Sequence, residues 1–396
     1  MEKQYKIAYV TGSRADYGIV RTYLKYLNDD INIDLELLIT GALLENEYGH
    51  QVDLIYGDGI RIGAEIELHI DTKSNVGILK AMAVALEKFG DFFERKKYDL
   101  LIILGDRYEI LSVAIAAAIQ KIPILHIHGG EATYGNYDEF IRHSITKMSR
   151  FHFTATKEYQ RRVIQLGENP DTVFYLGALG AENCTNIEEG YVLDDVKKLE
   201  SKSYFVVLFH PETLSGAEPC HQIRELLQAI SDFDEKLFIF IGTNADTQSD
   251  CIRTEIFEYV KNHSNTLYFE NLHTDAYHYL VKNSIALIGN SSSGIIEAPS
   301  LGVPTINIGN RQKGRIRGNS VIDIQCVKED IVEAIKRIIN DDSKININNP
   351  YYKKNAALNY YYRTLFILDE LKGGFACSAK EFFDIDWNMY INTYVN

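Results

Sequence analysis

Covalent staples and membrane anchors are scarce in this chain. Its 396 residues include only five cysteines, Cys184, Cys220, Cys251, Cys326 and Cys377. They are scattered, odd in number and form no CxxC pair, which fits reduced thiols better than a disulfide framework or a zinc site. No run of 18 apolar residues occurs, and "MEKQYKIAYV" enters a strand pattern without a signal-peptide apolar region. No Pro/Ser-rich linker or long charge run is present, so disorder is not expected. Positive charge is also in deficit: 41 Lys and Arg face 55 Asp and Glu, a net charge of −14. That balance argues against nonspecific nucleic-acid binding and against docking on an anionic membrane. A phosphorylated small substrate needs only local positive charge and stays open. A cytoplasmic protein is expected.

What is present is ordinary globular material, with 46% apolar and 24% charged residues. The length suggests two domains. Short apolar runs alternate with helical patterns: "YKIAYVTG", "DLELLITG", "DLLIILGD", "PILHIHGG" and "FHFTAT" read as strands. The rhythm restarts after "FYLGALGAEN" with "SYFVVLFH", "KLFIFIGT", "TLYFE", "IALIGNSS" and "PTINIG". Continuous apolar strands separated by helices imply α/β architecture, with parallel sheets covered on both faces. Two doubly wound Rossmann-like domains are expected, over 1–178 and 179–365, with a tail over 366–396 packing back on the first. The 26 tyrosines, dense in "NPYYKKNAALNYYYRTLF", read as packing or interface.

In open α/β sheets, ligands sit outside the carboxyl ends of the strands. The polar clusters "TGSRADYG", "GDRYE", "HIHGGE", "FHPET", "GTNAD", "GNSSSG" and "GNRQKGR" all fall at such ends. Arg14 sits in a Gly/Ser turn that opens a helix, a place that favours an anion. It matches neither GxGxxG nor the Walker pattern. Ser291 and Ser292 fall in a turn that suits a diphosphate or a plain helix cap; Glu297, one turn on, suits ribose hydroxyls. His210, Asn244 and Asp246 add polar groups, and Arg311 belongs to a basic turn. Asp106 follows a buried type of strand, so its pKa is expected to move, up by desolvation or down by pairing with Arg107. His126 and His128 share a face if the strand continues, but HxH without a third ligand does not make a metal site. Glu131, Asp138 and Glu139, with Arg142 and His143 one turn later, fit acid–base chemistry better.

These motifs, together with "DEFIRHSITKMS" and "INIGNRQKGR", resemble the hydrolysing UDP-N-acetylglucosamine 2-epimerases of bacterial sialic-acid and capsule synthesis. The resemblance runs in order from about residue 5 to 350. It implies a GT-B arrangement of two Rossmann-like domains, with UDP held mainly by the second and the sugar lying against the first. It implies loss of the C2 proton and of UDP by anti elimination, giving 2-acetamidoglucal. Water then adds, giving N-acetylmannosamine, with no metal or redox cofactor. Asp106, Glu131 and Asp138 correspond to the proton-transfer residues. Arg14, Arg107, Glu139, Arg142, His210, Asn244, Asp246, Ser291, Ser292, Glu297 and Arg311 correspond to the substrate contacts. A homodimer or homotetramer is implied, with a UDP-sugar as partner.

Two positions depart from the pattern. His128 stands where some relatives carry a candidate catalytic Glu, and imidazole is itself competent near pH 7. Leu43 stands where relatives often have a His, which removes a polar group expected near the sugar. The alternatives are therefore a diacetamido-trideoxy UDP-sugar substrate, a non-hydrolysing epimerase, or a GT-B glycosyltransferase.

Overall fold

The computed structural model describes residues 4–45, 52–71, 74–134, 137–212, 218–242, 249–270, 272–340, 346–373 and 379–386. Seven strands form the first sheet: β1 (Tyr5–Thr11), β2 (Ile33–Thr40), β3 (Ile62–Ile66), β4 (Leu100–Leu104), β5 (Ile124–Ile127), β6 (Phe151–Thr154) and β7 (Val173–Tyr175). Their order is β3-β2-β1-β4-β5-β6-β7, and every pairing is parallel. Six strands form the second: β8 (Tyr204–Leu208), β9 (Leu237–Ile241), β10 (Thr266–Phe269), β11 (Leu287–Gly289), β12 (Thr305–Ile308) and β13 (Val321–Ile324). Their order is β10-β9-β8-β11-β12-β13, again all parallel.

Both sheets are doubly wound, as the continuous apolar strands imply. All five residues of β4 and all five of β8 are buried, because helices cover both faces. Two apolar cores flank the first sheet and two flank the second. Three strands lie outside the expected set: β3, β7 and β13. Each is a short edge strand with most residues only partly buried, so it lacks the apolar run that marks a central strand.

The tyrosine-rich segment forms the helix Ala356–Lys372, which returns to the first domain. Ala356, Tyr360, Ile367 and Leu368 enter the core beside Tyr23 and Leu24. Tyr23 Oη and Thr364 Oγ1 are 2.6 Å apart, and Tyr361 Oη donates to Asp30 at 2.9 Å. A second tyrosine pair fastens the domains together. Tyr351 Oη donates to the Ile316 carbonyl at 3.0 Å, Ile316 N–H donates to Tyr159 Oη at 3.0 Å, and the two hydroxyls are 2.7 Å apart.

The cysteine expectation is corrected at one pair. Cys220 and Cys251 are disulfide-bonded, because the helices Pro219–Ile230 and Ser249–Asn262 pack together and bring their Cα atoms to 5.8 Å. A separation of 31 residues conceals that proximity in the sequence. Among the described residues Cys184 and Cys326 are free thiols, and no helix is long and apolar enough to cross a membrane.

Candidate active site

The first-domain side is built on the ends of β4 and β5. Gly105 follows β4 with φ +75°, a conformation suited to glycine, and Asp106 comes next in the cleft. The partner of Asp106 is Arg142, not the adjacent Arg107. Arg107 turns to Glu109 instead. Arg142 comes from the helix Asp138–Met148, whose buried face is Ile141, Arg142, Ile145 and Thr146. Only 1% of the Arg142 side chain is exposed. Besides Asp106 it donates to the Glu131 carbonyl at 2.9 Å, to Thr133 Oγ1 at 3.1 Å and to Glu139 Oε2 at 3.5 Å. A fork of donors thus binds together three of the sequence clusters. Glu139 also accepts from the Thr133 N–H at 2.6 Å and lies 3.2 Å from His143. Burial would raise its carboxyl, but these partners hold it below the ordinary range.

The two histidines of HIH do not share a face. β5 ends at Ile127, and His128 takes the left-handed conformation at φ +66°, which breaks the alternation. His126 is fully buried: Nε2 lies 2.8 Å from the Gly105 carbonyl and Nδ1 3.2 Å from Thr146 Oγ1. Burial pushes its imidazole down to about 3, so it is neutral. His128 instead faces the cleft, with Nδ1 3.2 Å from Glu131 Oε1. Its Nε2 is buried and has no hydrogen-bond partner among the described residues. No group of three His, Cys, Asp or Glu able to hold a metal occurs among them either.

Glu131 is 1% exposed and forms an ion pair across the cleft. Arg315, from the turn after β12, places Nη1 2.6 Å from Glu131 Oε2. Burial alone would raise the Glu131 carboxyl. The guanidinium and the His128 imidazole outweigh it and hold the group below its ordinary range, ionised at neutral pH. Arg315 belongs with Arg311 and Lys313 to the basic turn of the sequence and was not carried among the expected site residues. It sits in "GNRQKGR" with nothing local to separate it from a solvated basic turn.

The second-domain side lies beyond β8 and β11. His210 N–H donates to Asn290 Oδ1 at 2.7 Å, and Asn290 Nδ2 donates to the His210 carbonyl at 2.8 Å. This exchange ties "FHPET" to "GNSSSG". Arg311 and Gln312 both donate to the Asn290 carbonyl, at 3.2 and 2.8 Å. Ser291, Ser292, His210 and Arg14 line one pocket, with Arg14 reaching in from the first turn of the helix Arg14–Asp29. Glu297 accepts from Ser293 Oγ at 2.6 Å and lies 3.4 Å from His278 Nε2. His278 and Tyr277, which donates to Ser293 at 2.7 Å, were not singled out by the sequence. A second cavity adjoins the first through Ser292, Ser293 and Glu297. Asp106, Arg107, His128, Glu131, Arg142 and Arg315 line it too.

Other expected residues have different positions. Asp138 opens the 138–148 helix, half-buried and near enough to Arg315 to act on its charge, but it is not among the residues lining that cavity. Leu43 is 1% exposed and packs into the first-domain core. Asn244 and Asp246 lie outside the described residues.

Asp16 was missed although it stands in "TGSRADYG". It lines the second cavity, and burial pushes its carboxyl up to about 6, with the Arg107 charge opposing. Between the unfolded value near 4 and about 6, the native state keeps a proton that the unfolded chain has lost. Asp16 therefore costs nothing below about pH 4 and opposes folding increasingly up to about pH 6, by on the order of 2–3 kcal/mol. Asp16→Asn is expected to raise the thermal midpoint at pH 8 and to leave it nearly unchanged at pH 4.

Fold and site together define a two-domain α/β protein of the GT-B type, with a carboxylate-lined cleft between the domains. The chain belongs to the UDP-N-acetylglucosamine 2-epimerase family, whose model matches residues 25–361. It is 50% identical to the polysialic acid biosynthesis protein P7 of Escherichia coli, over 89% of this chain and 92% of that protein. It is 35% identical to the hydrolysing GDP/UDP-N,N'-diacetylbacillosamine 2-epimerase of Campylobacter jejuni, over 86% of this chain and 89% of the relative. The fold matches the solved UDP-GlcNAc 2-epimerase of Neisseria meningitidis bound to UDP-GlcNAc, with a TM-score of 0.77 and 19% identity. That match covers 91% of this chain and all of the other.

Proposed function

We propose that the chain is a hydrolysing UDP-N-acetylglucosamine 2-epimerase that makes N-acetylmannosamine and UDP for sialic-acid and capsule synthesis in the cytoplasm. The observation that carries this reading is a cavity in which Asp106, His128 and Glu131 face the serine turn of the second domain. A glycosyltransferase would need the nucleotide side of that cleft but not a carboxylate–imidazole cluster opposite it. Identity favours the N-acetylglucosamine substrate over the diacetamido sugar, since the polysialic-acid relative stands at 50% and the diacetylbacillosamine relative at 35%.

In the first half-reaction a base takes the C2 proton while the C1–oxygen bond breaks, and the electron pair leaves with UDP. In the second, water gives its hydroxyl to C1 and a proton is delivered to C2 with inverted configuration. Glu131 and His128 serve as one proton-transfer unit. The carboxylate lies 3.2 Å from Nδ1 and leaves Nε2 for the sugar. Asp106, held by Arg142, supplies a second carboxylate, and Asp138 adds negative field beside Arg315. Arg14, His210, Ser291 and Ser292 take the leaving diphosphate, with Arg107 beside the sugar and Glu297 at the ribose. Arg311 and Glu139 complete the substrate contacts of this reading, each also bonded to a backbone group, the Asn290 carbonyl and the Thr133 N–H. No metal or redox cofactor is called for. Self-association as a homodimer or homotetramer belongs to the same reading, and the exposed row Val76, Leu79 and Leu86 on the helix Asn75–Arg95 offers an apolar face for it.

Incubation with UDP-GlcNAc and no acceptor is expected to release UDP and free N-acetylmannosamine in equal amounts. UDP-N-acetylmannosamine as the accumulating product would instead mark a non-hydrolysing epimerase. A requirement for an acceptor would mark a transferase.

A further inference from the structure

The tail segment 379–386 lies against the end of the 138–148 helix opposite its catalytic first turn. Lys380 Nζ donates to the carbonyls of Lys147 and Ser149, at 2.8 and 2.6 Å, with the Thr146 carbonyl beside it at 3.4 Å. A lysine there caps last-turn carbonyls and complements the negative end of the helix dipole. The same ammonium is 2.7 Å from Glu168 Oε2, whose other oxygen is 2.6 Å from Lys147 Nζ; His152 Nε2 completes the cluster at 3.1 Å. Glu168 is 1% exposed and His152 fully buried, so Lys380 pairs with a carboxylate sealed from water. Beside it, Phe383 N–H donates to the Gly167 carbonyl at 2.9 Å. The Phe382 ring covers Gly167 so closely that a Cβ there would lie 2.2 Å from it.

From this anchor a continuous set of bonds leads to the site. Thr146, whose carbonyl lies beside Lys380, has its Oγ1 3.0 Å from the Arg142 carbonyl and 3.2 Å from His126 Nδ1; with His126 neutral and its Nε2–H on the Gly105 carbonyl, the hydroxyl donates to Nδ1. His126 in turn lies 2.8 Å from the carbonyl of Gly105, the residue before Asp106. Both partners of the Arg142–Asp106 pair are thereby referred to the capped end of one helix.

We propose that segment 379–386 is a strap that fixes the 138–148 helix along its axis, with Lys380 as a positioning residue for the Arg142–Asp106 pair. The inference rests on the reading that this pair works on the sugar. A displacement of the order of 1 Å at a reacting group costs up to about 10²-fold in rate. In the full chain, Lys380→Met is expected to lower kcat about tenfold or more, with KM for UDP-GlcNAc and affinity for UDP within about twofold of the unaltered protein. Lys380→Arg keeps the cap and the ion pair and is expected to recover most of the loss. A kcat unchanged well below the thermal midpoint, even with that midpoint lowered, would overturn the proposal. Amide hydrogen exchange reads the strap without turnover. Lys380→Met is expected to speed exchange at Ile141 and Arg142, and unchanged exchange there would overturn it. If the unaltered protein does not turn over UDP-GlcNAc, the functional reading fails, while the exchange result still decides on the strap.

Discussion

Glu131→Gln is expected to lower kcat with UDP-GlcNAc by about 10²–10⁴-fold, the range of a lost proton-transfer group. The substitution keeps the volume of a side chain that is 1% exposed, and so keeps the packing. It removes the negative charge that faces both Arg315 and His128 Nδ1 and leaves a single oxygen for the two of them. The imidazole then loses the carboxylate charge beside Nδ1, and a proton on its Nε2 is no longer stabilised. UDP binding is expected to survive within about threefold, because His210, Ser291 and Arg14 line the adjoining pocket, which Glu131 does not reach. A kcat within tenfold of the unaltered protein would place the proton transfers elsewhere.

Arg315→Met should come next in size. Removing one partner of a buried ion pair leaves an uncompensated charge, which costs about 3–5 kcal/mol. Glu131 escapes that cost by taking up a proton, because burial then acts on its carboxyl without the opposing guanidinium. Its pKa therefore rises. The ionised form is needed, so the acid limb of the kcat profile moves to higher pH and the rate at neutral pH falls by about 10²-fold or more. Arg315→Lys is expected to recover part of the rate and to move the limb back. An acid limb that stays in place would show that Arg315 does not set the ionisation of Glu131.

These two residues also mark the limit of what the sequence discloses. Asp106 and Glu131 were legible because each follows an apolar strand, and parallel sheets collect strand ends on one edge. The strands themselves were legible for the same reason, except at the edges, where β3, β7 and β13 are only partly buried. Charge pairing was not legible. Arg107 adjoins Asp106 in sequence, yet Arg142 binds it from a helix 36 residues away. Arg315 meets Glu131 only because two domains close on one cleft. HIH suggested two histidines on one face, but the left-handed φ of His128 sends one into the core and one into the cavity. Leu43 looked like a polar group lost from the sugar pocket, and it is a core residue in a turn. The Cys220–Cys251 bond depended on two helices packing side by side, which no local pattern encodes.

In the proposed function, this cleft moves the C2 proton of a UDP-sugar and releases the sugar from the nucleotide. Turnover of UDP-GlcNAc in D₂O, followed by proton NMR, tests it most directly. Free N-acetylmannosamine carrying deuterium at C2 from the first turnovers, together with free UDP, is the expected result. Free N-acetylmannosamine that keeps its C2 proton, or released N-acetylglucosamine, would contradict it.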